Sequence, residues 1–133
     1  MEGRLRYKKE QFEAAVADFS VSIKLDLTNF DPDVVDSVKS GRVQKFEFCV
    51  ELLWKTVKVF LHEIHGIDEN SPKMVIKSFY TLEYVSAAEY ETLMELLDDR
   101  NKLSHVYKKE QFNEIYERLI QTLPLFEKVV GKL

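Results

Sequence analysis

Cysteine is nearly missing from this chain. Cys49 is the sole thiol, which rules out an internal disulfide framework and reads as a small core residue in a reducing compartment. Glycine and proline are scarce too, 4 and 3 in 133 residues, so linker-rich or low-complexity organisation is excluded. No apolar run approaches the roughly 20 residues that span a bilayer. The basic start Met1–Lys9 lacks the apolar stretch a signal peptide needs. Positive charge is not in excess: 19 Lys and Arg face 23 Asp and Glu, a net charge of −4, which argues against coating nucleic acid through bulk electrostatics but allows a local basic cleft. There is no Gly-rich phosphate loop, no paired-cysteine zinc pattern and no nucleophile elbow. These absences lead us to expect one soluble, cytoplasmic domain over residues 1–133, with no membrane segment and no cofactor.

What is present is helical periodicity. Phe12, Ala15, Val16, Phe19 and Ile23 recur at three- and four-residue spacing and predict a first helix from about Gln11 to Leu25. Asp31 and Pro32 carry N-cap and first-turn signals for the longest helix, with an irregularity expected at Ser40-Gly41 and a C-cap at Gly66. Along it Phe46, Val50, Leu53, Val57, Phe60 and Ile64 form the buried stripe. Glu51 and Lys55 are spaced as an i,i+4 pair on the opposite side, and Phe48 and Trp54 read as core or dimer-face aromatics. Ser71-Pro72 opens a third helix, and the capping box Ser86-Ala87-Ala88-Glu89 opens a fourth. A last helix runs from about Lys109 until Pro124 kinks or breaks it. With no β-type alternation, the expected fold is all-α: an antiparallel up-and-down bundle of four to five helices.

Chemistry gathers at Arg100-Asn101-Lys102-Leu103-Ser104-His105-Val106-Tyr107. A guanidinium binds phosphate oxygens bidentately, an imidazole titrates near neutral pH, and a phenol can donate or act as a nucleophile. The plainer reading is a polar helix C-terminus with a histidine that favours the macrodipole. Asn101 and His105 share one helical face, whereas Arg100 and His105 diverge by about 140° unless the helix ends after Leu103. His62 and His65 lie three apart near a helix C-terminus, which their dipole placement explains without a metal. The hexapeptide Tyr7–Phe12 reappears as Tyr107–Phe112, yet the flanks do not match, so two independent helix starts explain it better than a repeat.

The stretch Arg42–Lys58 resembles the central-helix signature of the nucleotidyltransferase substrate-binding proteins. The Ser71-Pro72 start, the Asp99-Arg100-Asn101 step and the Ser104-His105-Val106-Tyr107 end are similar to that family as well. These small helical proteins are usually encoded beside a minimal nucleotidyltransferase and belong to the HEPN superfamily. Many members carry an Arg, four to six residues, then His, as Arg100 and His105 do here. The resemblance implies a HEPN-like homodimer with Arg–His clefts facing across its axis, partnered by a minimal nucleotidyltransferase in a toxin–antitoxin-like pair. In its binding form, Arg100, Lys102, Ser104 and His105 hold a nucleotide or acceptor anion. In its ribonuclease form, His105 is the acid/base, Arg100 clamps phosphate and Asn101 orients the imidazole or scissile group on RNA. Tyr107 is then the residue a partner would silence by attaching a nucleotide.

Overall fold

Each helix boundary has a local cause. The computed structural model describes residues 2–105 and 108–133, and among them every regular element is a helix. The first, α1, covers Glu2–Ile23 and so begins well before the apolar stripe announces it. Its polar first turns are held by tertiary contacts: Leu5 packs against the core, and Thr56 donates to the Lys8 carbonyl at 3.3 Å.

Helix α2, Pro32–His65, runs unbroken through Ser40-Gly41 and at 34 residues forms the spine. Pro32 suits the first turn because its missing N–H would be unpaired there anyway. Gly66 ends the helix at φ 65, and the Gly66 and Ile67 amides bond back to the His62 and Leu61 carbonyls at 3.0 Å each.

Helix α3, Pro72–Thr81, is capped by Ser71, whose hydroxyl accepts from the Met74 amide. Helix α4, Ala87–Leu103, starts with the expected capping box, both arms made at 2.8 and 3.1 Å.

The predicted last helix is two. Helix α5, Lys109–Leu119, stops in a turn where the Thr122 hydroxyl donates to the Leu119 carbonyl at 2.6 Å. Pro124 then sits in the first turn of α6, Leu123–Lys132. A proline tolerated at a helix start cannot continue the preceding one, so the described residues form six helices rather than four or five.

Helices α1 and α2 lie antiparallel: Phe19 meets Phe46 near one end and Lys8 meets Thr56 near the other. Phe12, Phe19, Phe46 and Phe126 are all 0% exposed and meet mostly edge-on, at centroid distances of 6.0–6.5 Å. Burial of each such ring contributes about 1.5–3 kcal/mol. Cys49 lies fully inside this region, and burial pushes its thiol up to about 12, so it is a packing group and not a nucleophile. Phe48 departs from its neighbours: it is 66% exposed and takes no part in the core.

No helix among the described residues is long and apolar enough to cross a membrane.

Candidate functional site

The last turn of α4 brings Arg100 and Asn101 against the outer flank of α2 and the start of α3. The cleft between them has a volume of about 290 Å³ and is walled by Glu51, Trp54, Ser71, Pro72, Lys73, Leu97, Arg100 and Asn101. Its parts come from different local causes. Glu51 and Trp54 face outward because the apolar stripe of α2 turns Val50, Leu53 and Val57 into the core. Ser71 and Pro72 are there because they start α3, so the positive end of that helix dipole borders the cleft. Leu97, nearly buried, forms the apolar floor.

Charge in the cleft is concentrated and unevenly satisfied. Glu51 contacts Arg100 Nε through Oε1 at 3.1 Å and Lys55 Nζ through Oε2 at 3.3 Å, so the expected i,i+4 pair becomes part of a triad. The Lys55 ammonium also lies 5.9 Å from the centre of the Trp54 ring. Arg100 Nε is shielded from water yet makes no aligned hydrogen bond among the described residues, so its contact with Glu51 is one of charge without good geometry. Lys73 pairs with Asp98 at 2.8 Å and ties α3 to α4.

The other predicted site residues separate from this cleft. Lys102 is about 200° around the helix from Arg100. It faces a second cavity, of about 480 Å³, shared with Asp98, Asp99 and Arg118. There the buried Asp99 carboxylate accepts two bonds from Arg118, at 3.0 and 2.7 Å. Those hydrogen bonds are the main reason the Arg118 guanidinium is held above its usual range. Ser104 and His105 lie past the end of α4, both exposed, with the His105 amide bonded to the Lys102 carbonyl at 2.9 Å. Neither side chain walls the Arg100 cleft. Tyr107 lies outside the described residues.

His62 and His65 diverge, His62 Nδ1 meeting Asp68 and His65 Nε2 meeting the Tyr84 hydroxyl, each at 2.6 Å. A larger groove, of about 660 Å³, runs along α1 past two cations, Arg6 and Lys9, and two carboxylates, Glu10 and Glu13.

Sequence reasoning missed Arg42. It is 6% exposed and uses its whole fork: Nε and Nη2 donate to the Ser22 carbonyl at 3.0 and 2.7 Å, Nη2 to that of Leu25 at 3.0 Å, and Nη1 to the Tyr116 hydroxyl at 2.8 Å. It caps the C-terminal end of α1, where carbonyls lack helical partners.

A sequence model of the family described as nucleotidyltransferase substrate binding protein like matches residues 7–133. The chain belongs to that family. The match covers both the α2 spine and the whole Arg100 cleft of this family member. Its fold is similar to the crystal structure of a protein from Thermus thermophilus, with a TM-score of 0.79 and 27% identity over 90% of this chain and 96% of that one. A comparison with curated proteins finds no match.

Proposed function

We propose that this protein is the binding partner of a minimal nucleotidyltransferase and seats a nucleotide or acceptor anion in the cleft between α2, α3 and α4. One observation carries the reading: Arg100, the N-terminus of α3 and the Trp54 ring border the same small cavity. A guanidinium and a helix N-terminus attract phosphate, while an indole flank offers a surface for a base. Membership of a family named for nucleotidyltransferase substrate binding supports the partner role. In this reading the protein acts as a homodimer, which also gives the exposed Phe48 on the outer side of α2 something to pack against.

Trp54 is the chain's one tryptophan and reports on the cleft directly. Titration with ATP should quench or shift its fluorescence to saturation, and Arg100→Ala should abolish the change. Equal responses from both proteins would overturn the assignment of the cleft.

A second reading is favoured by the end of α4. Because the helix stops at Leu103, His105 is released from the azimuth that would separate it from Arg100, and it is exposed. This is the metal-independent, HEPN-type ribonuclease of a toxin–antitoxin-like pair, with His105 as acid/base, Arg100 clamping the phosphate, Asn101 orienting the imidazole or the scissile group, and Tyr107 as the residue a partner nucleotidylates. RNA incubated with pure protein in EDTA is cleaved on this reading, and cleavage disappears in His105→Ala. Intact RNA after such incubation rejects it.

A further inference from the structure

We infer that Glu51 is a resident anion in the Arg100 cleft: its carboxylate holds the position a phosphoryl group would take and must be displaced for a ligand to bind. The inference rests on the cleft being the binding site and assigns it a built-in competitor. Glu51 reaches Arg100 with one carboxylate oxygen and Lys55 with the other, so one side chain neutralises two cations that a phosphoryl group would otherwise engage. Both Glu51 and Arg100 are 29% exposed, placing the pair at the rim between core and solvent, where an entering anion can reach it.

The hold is imperfect. Arg100 Nε is cut off from water and, among the described residues, still lacks an aligned hydrogen bond, although the Glu51 carboxylate is 3.1 Å away. A group whose purpose was to lock Arg100 in place would present the fork with parallel bonds, as Asp99 does for Arg118 at 3.0 and 2.7 Å. The misaligned contact therefore leaves Arg100 a donor that a better-placed phosphate oxygen can satisfy. Displacement swings Glu51 outward into water and frees Lys55, whose ammonium lies within 5.9 Å of the Trp54 ring centre, to meet a second phosphoryl oxygen. On this account Glu51 tunes affinity downward, so that weakly charged anions do not occupy the cleft.

The test is calorimetric titration of the intact protein and of Glu51→Gln with inorganic pyrophosphate and, separately, ATP. Removing one like charge beside the ligand should tighten binding of both probes about tenfold. Glu51→Asp, with its carboxylate drawn back by one methylene, should fall between the two and serves as the second variant if Glu51→Gln does not fold. If the unaltered protein binds ATP and Glu51→Gln binds it equally or more weakly, Glu51 merely positions Arg100 and the competitor inference fails while the binding site stands. If neither protein binds either probe, both are wrong.

Discussion

Two arginines on neighbouring helices meet opposite fates. Arg42, at the junction of α1, α2 and α5, is almost fully buried and gives every arm of its fork to a carbonyl or phenol. Arg100, at the junction of α2, α3 and α4, is partly exposed and has a carboxylate beside an Nε that makes no aligned bond among the described residues. The first guanidinium is consumed by the fold. The second is left with unused capacity beside a cavity, and unused donors at a cavity are what distinguish a binding group from a structural one. Arg118 stands between them, bidentate to buried Asp99 while 39% exposed itself. If this ranking is correct, the cost of removing each arginine should follow the same order.

Arg42→Met should be the most damaging. It keeps much of the stem but takes the guanidinium away from the Ser22 and Leu25 carbonyls and the Tyr116 hydroxyl, the Ser22 carbonyl keeping its bond from the Leu25 amide at 3.2 Å, at a cost of about 3–4 kcal/mol. Urea unfolding followed by circular dichroism would measure this, and a loss below about 1 kcal/mol would break the comparison at its structural end. Arg118→Ala comes next, at about 2–3 kcal/mol, because it strands the Asp99 carboxylate in the interior; partial exposure of Arg118 keeps the value below that of a fully buried pair. Tyr116→Phe should cost only about 1 kcal/mol, since Arg42 retains both carbonyls and loses a single acceptor. A Tyr116→Phe loss as large as that of Arg42→Met would mean the phenol, and not the end of α1, is what the guanidinium stabilises.

Much of this architecture is legible in the sequence, because helix periods and caps are local. The Ser86–Glu89 capping box, the Gly66 stop and the Glu51–Lys55 pair each depend on residues within a turn of one another, and all are present. The early turns of α1 and the split at Ile120–Thr122 are less visible, since polar first turns carry no apolar stripe and Pro124 marks a break without saying which side resumes. The site is harder still. Arg100 and Asn101 can be singled out by chemical type, but the residues that complete their cleft, Glu51, Trp54 and Ser71, lie far away along the chain and converge only through packing. Trp54 reads as a core residue by its spacing, and only the side it turns outward makes it part of a cavity wall. Arg42 is hidden for the same reason: its partners are 20 and 74 residues distant.

Arg100→Ala should have the smallest effect on stability, and that is its value. The ion pair with Glu51 lies at the rim with both side chains 29% exposed, where such contacts contribute about 0–1 kcal/mol. Its imperfect alignment keeps it at the low end. Losing the guanidinium also relieves the shielded Nε of its unmet hydrogen bond, which offsets part of the lost attraction to Glu51. The expected change in unfolding free energy is therefore under about 1 kcal/mol, and the double variant with Glu51→Gln should show coupling below about 0.5 kcal/mol in the same urea titration. A loss of about 3 kcal/mol on removing Arg100 alone would place it beside Arg42 as a fold-holding residue, erase the distinction between the two junctions, and remove the donor on which the proposed binding rests.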